Sequence, residues 1–191
     1  MSENTMNCNP DINIALLRGI NVGGKNKLPM KELAALFADA GCEDVRTYIQ
    51  SGNVLFRTGS ADVEEISAFI SASIRDRYGY QVPVVTRTGQ ELREIVKANP
   101  FLAAGAEADK LRVMFLAELP DSDSVEALDP ERSPGDEFAV LGREIYLHCP
   151  NGVARSKLTN SYFDSRLSTT STSRNWRTVG KLLELAAEAG S

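Results

Sequence analysis

Histidine and tryptophan occur once each in this 191-residue chain, as His148 and Trp176, and cysteine three times. Cys8, Cys42 and Cys149 are far apart and odd in number. A disulfide framework needs an even set and a structural zinc site needs closely spaced ligand pairs, so neither is present. His148 precedes Cys149 on a strand-like segment, where successive side chains point to opposite faces, so the neighbours do not make a Cys–His pair. A Ser-His-Asp triad would have to use His148, and no G-x-S-x-G elbow accompanies it. A packed strand residue is the plainer reading. No apolar run approaches the roughly 18 residues of a membrane span; Ile14 to Leu17 and Val113 to Ala117 are strand-sized. Met1 to Pro10 is polar, without the apolar centre of a secretory signal, which predicts a disordered N-terminus over 1–10 and a cytoplasmic chain. No motif calls for a metal or a cofactor, and none specifies an oligomeric state.

What is present is ordinary globular material. Lys and Arg number 21 against 26 Asp and Glu, and 42% of residues are hydrophobic, which excludes wholesale disorder and collagen-like or coiled-coil arrays. Ile12 to Leu17 is an apolar, β-rich run. Met30 to Ala40 carries Leu33, Leu36, Phe37 and Ala40 at helical spacing and stops at Gly41. Val45 to Gln50 and Val54 to Arg57 read as strands around the tight turn Ser51-Gly52-Asn53. Asp62 and Glu65 form a capping-box pattern for a helix bearing Val63, Ile66, Ile70 and Ile74, ended by Gly79. Val82 to Thr86 is a strand, and Thr88 with Glu91 caps a further helix stopped by Asn99-Pro100.

After the small-residue linker Ala103 to Ala106 the pattern repeats. Leu111 to Leu116 is a strand, Ser124 to Leu128 a short acidic helix, and Glu137 to Leu141 with Glu144 to His148 a hairpin. Ser156 to Leu167 reads as a helix, Thr169 to Ser173 as a last strand, and Asn175 as the cap of a final helix. The order β-α-β-β-α-β, twice, predicts an α+β protein of two ferredoxin-like (split βαβ) halves, each followed by an extra helix. The expected domains are residues 11–100 and 101–191. Each is near the lower limit for an independent core, so the halves are expected to share an interface. Charge is uneven: ten acids and three bases lie from Glu107 to Glu137, and seven bases and two acids from Arg143 to Lys181. Solvated acidic and basic faces account for this, with a cationic groove as the functional alternative.

The most specific segment is Arg18-Gly19-Ile20-Asn21-Val22-Gly23-Gly24-Lys25-Asn26-Lys27-Leu28-Pro29. Gly19 to Lys25 satisfies G-x-x-x-x-G-K, the start of a P-loop, but Asn26 replaces the magnesium-binding hydroxyl. A helix beginning at Gly24 would also enclose Pro29, which fits only at a helix start, so the helix should open near Pro29 and leave Lys25 on the loop. The antiparallel hairpin at Ser51 to Asn53 is foreign to the parallel sheet of an NTPase. The NTPase reading is rejected. A weaker one survives, in which backbone N–H groups of a glycine-rich loop converge on an anion, with Arg18, Lys25, Lys27 and Lys31 around them.

Leu16 to Gly24, Thr47 to Val54, Ser156 to Asn160 and Ser173 to Val179 form four ordered blocks in which the chain resembles the bacterial domain-of-unknown-function 1697 family. The resemblance runs over nearly the whole chain after Asp11. It implies two ferredoxin-like halves and no activity. The polar block residues enter as a candidate ligand site: Arg18, Gly19, Asn21, Gly23, Gly24, Lys25 and Lys27 from the loop, with Arg174, Asn175 and Trp176. The partner so predicted is a phosphate-bearing, nucleotide-like or other anionic small molecule. The alternative is an interaction or structural module with no ligand. Nucleic acid is disfavoured, because Ile12 to Leu17 offers no aromatic, Val54 to Arg57 only Phe56, and the chain is acidic overall. Within one half, the loop after the first strand and the turn at Ser51 to Asn53 are expected at opposite ends of the sheet.

Overall fold

A computed structural model describes residues 12–58 and 62–189; the expected disordered segment, residues 1–10, lies outside them. The chain divides into two compact units, one reaching to Glu94 and resuming at Lys181, the other spanning Ile95–Gly180. The sequence reading draws its boundary at 100/101. Two hydrogen bonds accompany the observed division. Tyr146 Oη donates to the Ile95 carbonyl at 2.9 Å, tying that residue to the second unit. Arg57 Nη2 donates to the Ala189 carbonyl at 2.7 Å, tying the C-terminal stretch to the first.

In the first unit, strand β1 (Ile12–Leu17) is followed by α1 (Met30–Asp39), β2 (Cys42–Tyr48), β3 (Asn53–Thr58), α2 (Val63–Tyr78), β4 (Val84–Thr88) and α3 (Gly89–Lys97). The strands order β2-β3-β1-β4, every neighbour antiparallel. β1 is central and buried along its whole length, as its unbroken apolar sequence requires. Ala15, Leu17, Val54 and Phe56 meet Leu33, Leu36 and Phe37 of α1 and Ile66, Ile70 and Ile74 of α2 in one core. The helix ends follow their capping chemistry. Pro29 directly precedes α1, and its carbonyl accepts from Glu32 and Leu33. Asp62 accepts from the Glu64 N–H at 2.7 Å, and Gly79 closes α2 in the left-handed region at φ 75°. Thr88 and Glu91 exchange the two bonds of a capping box, at 2.7 and 3.1 Å.

The second unit opens with a four-residue helix, α4 (Pro100–Ala103), which Asn99 caps. β5 (Leu111–Leu116), α5 (Ser122–Glu126), β6 (Glu137–Leu141), β7 (Glu144–His148), α6 (Asn160–Leu167), β8 (Ser171–Asn175) and α7 (Trp176–Glu188) follow, α7 passing Gly180 into the stretch that belongs to the first unit. The strand order is β6-β7-β5-β8, again antiparallel throughout. Among the described residues the protein is thus mixed α+β, with two four-stranded antiparallel sheets and seven α-helices. The core of this unit packs Met114, Leu116, Ile145 and Leu147 against Leu158, Phe163 and Leu167. Two helix starts differ from expectation. The α5 helix begins at Ser122, not Ser124, because Asp121 accepts from the Ser124 N–H at 2.8 Å. The α6 helix begins at Asn160, not Ser156, because Thr159 stays extended and its hydroxyl accepts from the Tyr162 N–H at 3.2 Å. His148 is a packed strand residue, Nδ1 lying 3.0 Å from Glu137 Oε1 and its ring 5.7 Å from that of Phe101. Among the described residues no helix is long and apolar enough to cross a membrane.

Candidate functional site

The glycine-rich segment folds as a small hairpin. Asn21 N–H donates to Asn26 O at 3.1 Å and Lys25 N–H to Val22 O at 3.0 Å, with Gly23 and Gly24 at the tip at φ 58° and 76°. Two consecutive positive φ values define the turn that joins tightly twisted strands, and glycine supplies them without strain. Asn21, itself left-handed at φ 53°, fixes this hairpin to its surroundings. Its Nδ2 donates to Leu28 O (2.8 Å) and Gln50 O (3.0 Å), while Oδ1 accepts from the Leu28 N–H (2.8 Å). Asn26 Nδ2 donates to Gly19 O at 3.0 Å, and the Arg18 N–H to Pro83 O at 3.0 Å.

These bonds change the expected picture in two ways. The loop's amides do not converge on one point: those of Arg18, Asn21, Lys25 and Leu28 are taken by the protein's own oxygens, and Asn21 is a structural clamp. The loop and the Ser51 to Asn53 turn are also not at opposite ends. β1 and β3 are antiparallel with Leu16 opposite Asn53, so the end of β1 and the start of β3 share one end of the sheet. Contact there is close. Gly52 O accepts from the Leu17 N–H at 2.8 Å. A Cβ on Gly52, which sits at φ 76°, would fall 2.7 Å from Ile20 Cδ1 and 2.8 Å from Leu17 Cβ. Beside it, Ile49 occupies the left-handed region at φ 48°, a strained place for a β-branched residue.

What the hairpin presents outward is its tip. Gly19, Gly23, Gly24, Lys25 and Lys27 are exposed, and nothing lies within 4 Å of the Cβ positions of Gly23 and Gly24. Among the described residues, no carboxylate pairs with Lys25 or Lys27. Val22 at 61% and Ile49 at 47% exposure stand on the same loops.

Arg174, Asn175 and Trp176 belong to the second unit. Arg174 is 6% exposed, donating from Nη1 to Thr172 Oγ1 (2.8 Å) and Ser173 O (2.9 Å). Burial, and secondarily the nearby charge of Arg112, lower its guanidinium to about 10. Asn175 Oδ1 accepts from the Thr178 N–H at 2.7 Å, the helix cap its residue type suggests. Trp176 is buried. The second unit also holds something the sequence reading passed over, a cavity of about 220 Å³ where Ser156, Thr159 and Asn160 of the third block meet Ser173 of the fourth, beside Arg112. The available signal was Arg112 itself, a charge inside the otherwise apolar strand Leu111–Leu116.

Fold and topology define an α+β protein of two similar sheet units. A family model described as a protein of unknown function (DUF1697) matches residues 12–146, and the chain belongs to that family. The match takes in the first two sequence blocks and ends before the third. No curated protein matches the chain. A solved structure of the conserved bacterial protein SP0830 from Streptococcus pneumoniae is similar at a TM-score of 0.69 and 22% identity, over 92% of this chain and 98% of that one. At that identity the likeness is one of fold.

Proposed function

We propose that the protein is a small-anion-binding module and that each of its units is a ferredoxin-like plait with an appended helix. The plait assignment is supported by the β-α-β-β-α-β order with the first and third strands central in each sheet. One observation carries the binding reading: the open Gly23-Gly24 tip is followed directly by two exposed cations, Lys25 and Lys27, that no described carboxylate neutralises. Two ammonium groups beside an open tip suit a phosphate-bearing or nucleotide-like anion. Arg18 and Gly19 lead into this loop, and Asn21 holds its shape. The test is calorimetric titration of the full chain with pyrophosphate and a nucleoside diphosphate. The Lys25→Ala/Lys27→Ala double variant is expected to weaken binding at least tenfold, and raised salt to weaken it further. Equal binding by the double variant overturns the reading.

A second reading, an interaction surface, is favoured by Val22 and Ile49, apolar side chains exposed on the same loops. It predicts that pyrophosphate does not bind and that Val22→Ser abolishes association with a protein partner.

A further inference from the structure

Independently of the glycine hairpin, we infer that the cavity of the second unit is a binding site for a small tetrahedral oxyanion, the phosphoryl or sulfuryl group of a compact metabolite, held by Arg112.

The argument begins with the strand. β5 and β8 pair so that Met114 faces Ser173 and Arg112 faces Asn175. Side chains alternate across a strand, so Arg112 and Ser173 share the face that also carries Met114 and Leu147, while Arg174 points to the opposite face. The Arg112 guanidinium donates from Nε to Ser173 Oγ at 3.2 Å. Among the described residues no carboxylate lies in ion-pair range of Arg112. A half-buried cation without a counter-ion, next to a second and deeper guanidinium that it repels, is an unfavourable arrangement that an anion would relieve.

The hydroxyl groups around the cavity point to the same charge. Ser173 Oγ accepts from Arg112, Ser156 Oγ from the Leu158 N–H at 3.2 Å, and Thr159 Oγ1 from the Tyr162 N–H at 3.2 Å. Each has spent a lone pair on the protein; Ser173 and Thr159 keep a hydrogen to donate, while the Ser156 hydroxyl is engaged with the Cys149 thiol. Asn160 uses its Nδ2 on Ser171 Oγ at 2.7 Å, which leaves the second amide hydrogen. Thr159 and Asn160 also begin α6, so the positive end of that helix adds to the field.

No Asp or Glu lines the cavity. Asp136 raises the thiol of the lining residue Cys149, after burial as the larger cause, by its charge and by a hydrogen bond, and its carboxylate also accepts from Ser133 Oγ at 2.6 Å; it is not itself a lining residue. The wall is therefore rich in donors and poor in acceptors. Donors drawn from two strands and a helix start surround a volume, which matches the oxygens of a tetrahedral group better than a planar carboxylate. Met114, Leu147, Val153, Leu158 and the thiol of Cys149 form the remainder. At about 220 Å³ the cavity is below the roughly 300–1,000 Å³ of a drug-sized site, so the organic part is a few carbon atoms.

The experiment is isothermal titration of the full chain with inorganic phosphate, sulfate and glycerol phosphate, and with acetate and butyrate as the planar arm. Phosphate or glycerol phosphate is expected to bind. At 100 times its Kd it should raise Tm by about 5–10 °C. Arg112→Gln is expected to weaken binding at least tenfold, and Ser173→Ala, which leaves every charge in place, about threefold to tenfold. Lys25→Ala/Lys27→Ala should leave this binding unchanged. Loss of phosphate binding in the lysine variant with none in Arg112→Gln or Ser173→Ala overturns this inference and leaves the loop site standing. Carboxylates binding as tightly as phosphate, or no oxyanion binding at all, also overturns it.

Discussion

The two units share a strand order but place their long connections at opposite ends of the sheet. In the first, the segment from β1 to α1, residues 18–29, is the long one, and it leaves the end of β1 to lie against the 49–52 turn. In the second the equivalent segment shrinks to residues 117–121, and the extended connection is instead 149–159, from β7 to α6. β7 ends opposite Leu111, the start of β5, so this connection builds its cavity at the other end. The antiparallel scaffold tolerates either choice, because loops at both ends leave the central strand's pairing untouched. What differs is how each connection satisfies its polar groups. The first closes on itself through Asn21 and Asn26, whereas the second leaves Arg112 and the hydroxyl hydrogens of Ser173 and Thr159 facing a hollow.

That contrast can be broken or sharpened, beginning with the largest effect. Gly52→Ala adds a Cβ into Ile20 and Leu17 at a left-handed φ, and is expected to destabilise the first unit by about 3 kcal/mol in denaturant unfolding. Gly23→Ala, left-handed but in open space, should lose only about 1 kcal/mol. Equal losses would mean the turn and loop are not packed as described. Asn21→Ala removes three bonds at once and should lose about 2 kcal/mol, against about 1 kcal/mol for Asn175→Ala, which removes one cap in the second unit. Thermal melts that rank the two asparagines the other way round would sink the clamp. The smallest effect has the opposite sign: Ile49→Gly relieves a left-handed β-branched residue and is expected to add roughly 0.5–1 kcal/mol.

Much of the scaffold was legible because it rests on periodicity and local capping. The spacing of Leu33, Leu36 and Phe37, the Thr88–Glu91 box and the Asn175 cap can each be read within a few residues. The sites were not legible, and the reasons are specific. Asn21 reads as a polar loop residue, yet its bonds reach Leu28 and, across the sheet end, Gln50. The expected separation of the loop from the Gly52 turn failed because it ignored the antiparallel pairing of β1 with β3, which brings Leu17 beside Gly52. The start of α6 moved because one hydroxyl, Thr159, competed with the helical pattern for its own backbone. Around Arg112 the lining comes from strands and a loop far apart in sequence, and no single stretch of it differs from ordinary protein.

Trp176 stands buried at the start of α7, within the second unit, and it is the sole indole of the chain. Emission excited at the red edge of the aromatic band therefore comes from that half alone, while tyrosines 48, 78 and 80 belong to the other. The protein carries its own optical label for deciding whether its halves melt together or one after the other.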